Sequence, residues 1–277
     1  MEKKILITGR NGFIGRNLFD YLNNKKYIVS PAKRDTNKKD LFSIIKNSDV
    51  VIHTAAITNP FDKEIWKVNL DYTNLIVRVC KKLDKKLIYI STQNVLFGTD
   101  TYSKTKRLSE KLVKTLKSYV ILRPTIVYGK NEDRYISNLI NLIKKSPLIP
   151  IIGDGKNKIQ PLYLNDLIKI IEFCINKNVN GVYLIAGKSI ITYNDLINQI
   201  INILKFNRLK VHIPIVLLKP IAYILQNISK KPFITTVQLE NIKKDLVFDT
   251  DQIQKFFKIN LTNLEEGLNN LLKNGKK

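Results

Sequence analysis

Short apolar runs alternate with amphipathic segments along the first half of the chain. Mostly apolar runs of four to five residues predict β-strands at 4–8, 27–30, 50–53, 87–91, 119–122 and 182–185. Between them, apolar residues recur at the spacing of one helix face, most clearly at Ile65, Val68, Tyr72, Leu75, Ile76, Val79 and Leu83. Strands that alternate with helices imply right-handed crossovers. The pattern therefore predicts an α/β fold with a parallel sheet.

The pattern changes after Arg123-Pro124. It predicts a helix over 133–145, then a proline-containing stretch, then a strand over 159–164. From Thr192 onward the pattern is mostly helical, and we expect breaks at three prolines: Pro214, Pro220 and Pro232. We therefore expect a first domain made of 1–128 with 156–186 returning to it, and a smaller, mostly helical lobe made of 129–155 and 187–277.

Size and composition restrict the class of protein. A chain of 277 residues with 44% apolar residues can bury a large core. It has no run of about 18 apolar residues that would predict a membrane span, and its first apolar run is too short for a signal peptide. Cys80 and Cys174 lie in apolar helical patterns without metal-ligand spacing. We expect reduced thiols, no metal site and a cytoplasmic location.

The charge is strongly positive, at +24, from 47 basic and 23 acidic residues. Such an excess is typical of proteins that bind nucleic acid or an anionic membrane surface. Here the lysines are spread along the whole chain, and no recognition motif accompanies them. We therefore expect no specific nucleic-acid partner, although the positive field would attract nucleotide phosphates.

A glycine-containing loop after the first strand predicts a dinucleotide site. Gly9 would make the tight turn, Gly12 would let the backbone approach a pyrophosphate, and Gly15 would let the helix pack closely on the sheet. Amide N–H groups at the helix start favour an anion. The sequence thus predicts a Rossmann-type, doubly wound domain whose loop contacts the dinucleotide through Gly9, Arg10, Asn11, Gly12, Phe13, Ile14 and Gly15.

A second motif predicts acid–base chemistry. Tyr102 and Lys106 are spaced i, i+4 and would share one helix face. A phenol has a reference pKa of about 10, and a nearby ammonium favours the phenolate. Thr92 follows the strand predicted over 87–91, where its hydroxyl would orient a substrate oxygen. This spacing also fits a solvated lysine, but the order of the glycine loop, Thr92, Tyr102 and Lys106 favours a catalytic site.

With these motifs, three further segments make the chain resemble the extended short-chain dehydrogenase/reductases, a family of nucleotide-sugar epimerases, dehydratases and reductases. The segments are His53-Thr54-Ala55-Ala56, Asn69 and Arg123-Pro124-Thr125. The resemblance implies a nicotinamide cofactor, a nucleotide-sugar substrate, and a homodimer formed through the helices at 62–82 and 102–117. It assigns to the cofactor site Asp40, Leu41, Thr54, Ala55, Ala56, Asn69, Tyr102, Lys106, Arg123 and Pro124.

The residues after the second predicted strand bear on the choice of cofactor. An acidic residue there would bind the ribose 2′-hydroxyl of NAD, but no acid precedes Asp35. Lys33 and Arg34, with Arg10 in the glycine loop, could hold a 2′-phosphate instead. We therefore favour NADP(H) over NAD(H).

One departure from the family pattern leaves an alternative open. The arginine that often grips the sugar nucleotide's diphosphate is replaced by Ile159, and Gln160-Pro161 follow. This version also resembles relatives of the accessory subunit of respiratory complex I, which bind a nucleotide structurally. A non-catalytic assembly or membrane-surface protein would also explain the apolar stretch 213–225, which otherwise predicts a core helix. The presence of Tyr102 favours the enzyme, either a reductase or an epimerase.

Overall fold

The structure is a computed structural model that describes residues 2–32, 36, 38–132, 135–229, 235–241 and 245–273. Its strands are β1 (Lys4–Thr8), β2 (Ile28–Ala32), β3 (Val50–His53), β4 (Lys86–Ile90), β5 (Tyr119–Pro124), β6 (Val127–Tyr128), β7 (Leu148–Ile152), β8 (Lys158–Ile159), β9 (Leu162–Tyr163), β10 (Gly181–Ile185), β11 (Ile191–Thr192) and β12 (Leu209–Ile213). Its α-helices are α1 (Phe13–Asn23), α2 (Lys38–Lys46), α3 (Tyr72–Lys82), α4 (Thr101–Val113), α5 (Ile136–Lys145), α6 (Leu164–Asn176), α7 (Tyr193–Leu204), α8 (Ile215–Ile228), α9 (Thr236–Asn241), α10 (Asp251–Phe257) and α11 (Leu264–Lys273). A π-helical turn, Lys67–Asp71, precedes α3, and a 3₁₀ turn, Gln93–Val95, follows β4.

The chain divides into two units, of which the first comprises Met1–Pro124 and Asn165–Ile185. It contains a six-stranded sheet in the order β10-β5-β4-β3-β1-β2, and every neighbouring pair is parallel. The order of strands reverses between β1 and β3, which is the switch point where such sheets bind ligands. This topology confirms the predicted Rossmann-type fold.

Burial explains why the strands of this sheet could be recognised from the sequence. All four residues of β3 are buried, as are the last four of β1 and of β4. Parallel strands covered by helices on both faces become continuous apolar runs. Because all six strands point the same way, their carboxyl ends lie along one edge, where the candidate site is found.

The second unit comprises Thr125–Leu164 and Ala186–Lys277. Its described part holds three strand pairs: β7 with β12, β8 with β11, and β6 with β9. Side chains from β7, α5, α7 and α11 form its apolar core, for example Ile140, Ile151, Ile197 and Leu268. None of the described helices in the chain is long and apolar enough to cross a membrane.

The expectation of one continuous strand in this second part of the chain was wrong. The strand predicted over 159–164 is split into β8 and β9, because Pro161, which lies between them, lacks an N–H for strand pairing. The Gln160 side chain forms hydrogen bonds outside these two strands. Its amide donates to the carbonyls of Gly187 and Phe248 and accepts from the Phe248 N–H. The stretch from Thr192 is mostly helical, as predicted, and it also contains the strand β12, which pairs with β7.

The prolines had different outcomes. Pro214 is the N-cap residue of α8, so the expected break lies at the start of this helix. Pro220, however, lies inside α8, and the expected interruption is absent from this helix. Packing on both sides of the proline outweighs the lost hydrogen bond, because Leu218 and Ala222 both contact the same small core. Pro232 lies outside the described residues.

Candidate active site

The loop after β1 packs tightly against the loop after β3. Gly9 has φ +78°, and a side-chain carbon there would lie 2.5 Å from the Ala55 nitrogen. The Gly12 N–H donates to the Gly9 carbonyl at 2.9 Å, and Gly12 caps the start of α1. A side-chain carbon at Gly15 would collide with the same carbonyl. This cradle fits a dinucleotide, because the loop leaves backbone N–H groups at the helix start for a pyrophosphate.

The loop after β3 is held from two sides. The Thr54 hydroxyl donates to the Thr8 carbonyl at 2.7 Å, which ties this loop to the end of β1. The Asn69 side chain accepts from the Ile57 N–H at 2.7 Å and donates to the Ile57 carbonyl at 2.9 Å. It also donates to Thr105 Oγ1 on α4 at 3.1 Å. Thr54, Ala55 and Ala56 remain half-buried between these anchors.

His53 is a neutral structural residue. Thr73 donates its hydroxyl proton to the Asn69 carbonyl, so its oxygen must accept from His53 Nε2 at 2.8 Å. His53 Nδ1 then accepts from Thr8 Oγ1 at 2.5 Å. Burial and, to a lesser extent, the charge of Lys106 together lower the pKa of His53 to about 3. The imidazole therefore stays unprotonated and fixes the ends of β1 and β3.

Tyr102 and Lys106 lie one turn apart on α4, as predicted from their spacing. Lys106 is buried, and its Nζ donates to the Ile90 carbonyl at the end of β4 at 2.6 Å. The same ammonium lies 4.0 Å from the centre of the Tyr89 ring. Tyr102 is half-buried. The pair therefore lies on α4 with its lysine fixed at the carboxyl edge of the sheet.

The charge of Lys106 is balanced by a residue that the sequence analysis missed. Burial lowers the pKa of Lys106 to about 7, and the carboxylate of Glu110 opposes this effect. Glu110 is itself buried and accepts from Ser91 Oγ at 2.6 Å. Arg123 binds both of its oxygens, with Nε at 2.9 Å and Nη2 at 2.5 Å. The sequence offered one signal for Glu110, because it is a polar residue that lies one helical turn after Lys106.

Thr92 and Pro124 also lie at the carboxyl ends of strands. Thr92 is the second residue after β4 and follows Ser91. Its side-chain oxygen accepts from the Asn94 N–H at 3.2 Å. It is 9% exposed. Pro124 ends β5, directly after Arg123. The structure thus brings the predicted Thr92, Tyr102 and Lys106 to one edge of the sheet in the first unit.

The remaining predicted cofactor contacts have mixed environments. Asp40 is exposed in the first turn of α2, whereas the Leu41 side chain is wholly buried in the core. The Arg10 guanidinium is exposed and lies 3.9 Å from the centre of the Phe19 ring. Asn11 is exposed, and Phe13 and Ile14 are half-buried at the start of α1. Lys33 and Arg34 lie outside the described residues.

In the second unit, Ile159 is 6% exposed and belongs to the apolar core. The neighbouring Lys158 is exposed.

An open cavity of about 820 Å³ also lies in this unit, lined by Gly153, Asp154, Lys156, Asn157, His212, Pro214, Ile215 and Asp245. Among the described residues, no group of three or more His, Cys, Asp or Glu side chains could hold a metal ion. Burial raises the pKa of both Cys80 and Cys174 to about 12.

Comparison with known proteins found a family model that matches the chain and proteins that are similar to it. The family model described as RmlD substrate binding domain matches residues 3–276. UDP-glucose 4-epimerase of Vibrio cholerae is 29% identical over 247 residues, which cover 72% of this chain and 75% of that protein.

Two solved structures have the same fold. The dTDP-4-dehydrorhamnose reductase of Bacillus anthracis, in complex with NADP, is 20% identical with a TM-score of 0.79 and covers 99% of this chain and 100% of its own. The UDP-glucuronic acid 4-epimerase of Bacillus cereus, in complex with UDP-glucuronic acid and NAD, is 23% identical with a TM-score of 0.77 and covers 98% of each chain. All three similar proteins are nucleotide-sugar enzymes. The family model and the Vibrio cholerae relative support an enzyme and give no support to the assembly-protein alternative.

Proposed function

Because this chain belongs to the RmlD substrate binding domain family, we propose that it is an NAD(P)-dependent reductase or epimerase of a nucleotide-activated sugar. The observation that carries the proposal is the arrangement on α4. Tyr102 lies one turn before a buried Lys106, whose Nζ is fixed to the Ile90 carbonyl at 2.6 Å. A lysine is rarely buried without a role that repays its desolvation.

The glycine loop, Arg10 and residues 54–56 would hold the nicotinamide nucleotide, with Lys33 and Arg34 as further contacts to a 2′-phosphate. When bound, the nucleotide supplies or accepts a hydride. We favour NADP(H), because the exposed Arg10 guanidinium follows Gly9 directly. NAD(H) remains the alternative to be tested.

In this proposal, Tyr102 holds the proton that moves to or from the substrate oxygen. The Lys106 ammonium favours the phenolate form of Tyr102 and would hold the nucleotide's ribose hydroxyls. The Thr92 hydroxyl orients the substrate oxygen from the end of β4. Glu110 favours the charged form of Lys106 by opposing the effect of burial.

In the family that the chain resembles, an arginine at the position of Ile159 often grips the sugar nucleotide's diphosphate. Ile159 provides no cationic group, and its side chain is packed in the core. Lys158 and Lys156 are both exposed near that position in the chain, and an ammonium would bind phosphate as a point charge. We expect Lys158→Ala and Lys156→Ala to raise KM for the sugar nucleotide and to leave kcat nearly unchanged.

The test is turnover of UDP- and dTDP-linked sugars and their 4-keto forms with NADPH or NADH, with mass spectrometry of any nucleotide that co-purifies. Tightly held NAD would indicate an epimerase, and exchangeable NADPH would indicate a reductase. Tyr102→Phe is expected to lower kcat by about 10²- to 10⁴-fold, the usual contribution of a general acid or base.

Tyr223→Phe provides the matched control, because Tyr223 is 63% exposed on α8. It is expected to retain full activity. Unchanged activity in Tyr102→Phe, or no turnover of any nucleotide sugar, would contradict the proposed function.

A further inference from the structure

Helix α8 exposes apolar side chains along the side that faces away from its small core. Its buried side consists of Ala222, with Ile215, Leu218 and Leu225 packed beside it. The other side carries six large apolar residues that are 45–79% exposed: Val216, Leu217, Ile221, Tyr223, Ile224 and Ile228. A helix that is apolar on all sides is normally buried. An apolar patch of this kind therefore marks a surface that another molecule covers.

Within the patch, four residues form a single stripe. Leu217, Ile221, Ile224 and Ile228 are spaced i, i+4, i+7 and i+11, so they lie on one line along the helix. The strand that leads into α8 adds to the exposed apolar surface, since Leu209 is 64% exposed and pairs with Leu148, which is 50% exposed.

The charge around α8 indicates what covers it. The segment 196–239, which lies between Asp195 and Glu240, contains six basic residues and no acidic one: Lys205, Arg208, Lys210, Lys219, Lys230 and Lys231. Lys205 and Lys219 are exposed. A second copy of this chain would carry the same net charge of +24 and would be repelled. An anionic lipid surface offers both acyl chains for the apolar stripe and phosphates for the lysines.

We propose that α8 is a membrane-docking helix that lies flat in the headgroup region of an anionic lipid surface. With 14 residues it is about 21 Å long, too short for the hydrocarbon core of about 30 Å. The stripe of Leu217, Ile221, Ile224 and Ile228 points toward the acyl chains, while the positive charge of the chain, including Lys219 on the opposite side of the same helix, attracts the lipid phosphates. Docking would hold the protein at a membrane without inserting it.

The test is flotation of the full chain with vesicles of phosphatidylcholine alone or mixed with phosphatidylglycerol. The protein is expected to float with the mixed vesicles, and less so as salt is raised. The double variant Leu217→Asp/Ile224→Asp is expected to lose at least roughly tenfold in partitioning, because it places two carboxylates in the apolar stripe. Lys205→Gln/Lys219→Gln is expected to weaken binding to the mixed vesicles alone.

The matched control is Ile28→Asp/Ile190→Asp, which makes the same change in charge at residues that are 45% and 49% exposed elsewhere. It should float like the original protein, and thermal melting verifies that each variant is folded. Equal flotation of the stripe variant and the original protein, equal flotation with both lipids, or none with either would overturn the proposal. Loss of a dimer in the stripe variant, measured by sedimentation without vesicle binding, would assign the surface to a second copy instead.

Discussion

A single buried lysine at the candidate site, Lys106, has a lowered pKa. Burial lowers the pKa of Lys106 to about 7, and Glu110 is the charge that opposes this effect. Glu110 in turn is held by Arg123 and Ser91. The ionisation of Lys106 therefore depends on a carboxylate whose position is fixed by two other side chains.

Replacing that carboxylate should move the pH profile. In Glu110→Gln the attraction that keeps Lys106 protonated is lost, so the pKa of Lys106 falls below its present value. If activity needs the ammonium, the basic limb of kcat/KM shifts to lower pH, which a pH–rate profile measures directly. Glu265→Gln, at an exposed position on α11, is the control and should leave the limb in place. A limb that stays fixed in Glu110→Gln would show that Glu110 has only a structural role.

The same lysine predicts a pH-dependent cost in stability. Its proton is bound less tightly in the folded protein, with a pKa of about 7, than in the unfolded chain, where it is 10.5. Below pH 7 both states carry the charge and the full cost of burying it is present; as pH rises toward 10.5 that cost disappears. Lys106→Met should therefore melt above the original protein at low pH, by a margin that shrinks as pH rises. Calorimetry that finds a constant margin would contradict this argument.

At the scale of elements, the turn between β1 and α1 separates two roles of glycine. Gly9 has φ +78°, and a methyl group there would lie 2.5 Å from the Ala55 nitrogen, so Gly9→Ala should destabilise the protein by about 1–3 kcal/mol. Gly12 has φ −80°, and its added methyl would lie 3.3 Å from the Gly9 carbonyl oxygen. Gly12→Ala should cost no more than about 0.5 kcal/mol in stability yet weaken nucleotide binding.

Urea unfolding and nucleotide titration of the two variants measure these effects separately. The comparison needs no knowledge of the sugar substrate, and each variant serves as the other's control. Equal losses of stability in Gly9→Ala and Gly12→Ala would show that the turn is held in some way other than by its contact with Ala55.

The elements of the first unit could be predicted because burial imposes a simple pattern on them. β3 was predicted with its observed bounds, Val50–His53, since each of its residues is apolar or hydrogen-bonded inside the sheet. Pro220 was misinterpreted, because local sequence shows the missing N–H but not the packing around Ala222. Glu110 was missed for a related reason: its importance lies in Arg123 and Ser91, which are distant in sequence.

For the chain as a whole, whose net charge is +24, the choice between NADP(H) and NAD(H) can be measured as a shift in melting temperature. A ligand that binds only the folded state raises the melting temperature in proportion to ln(1 + [L]/Kd). Each tenfold gain in affinity is worth about 1.4 kcal/mol, and about 2–4 °C per kcal/mol in a chain of this size. If Arg10, Lys33 and Arg34 hold a 2′-phosphate, NADP(H) should raise the melting temperature several degrees more than NAD(H).

Removing these three charges should abolish that difference. The triple variant Arg10→Ala, Lys33→Ala, Arg34→Ala is expected to bind both nucleotides equally, because only NADP(H) carries the phosphate that they would pair with. A control with the same loss of charge combines Arg78→Ala, Lys81→Ala and Lys82→Ala on α3, and it should keep the preference. If the control lost the preference as well, the selectivity would come from the overall field of the chain rather than from the residues after β2. An equal or larger shift with NAD(H) in the original protein would assign NAD(H) as the cofactor.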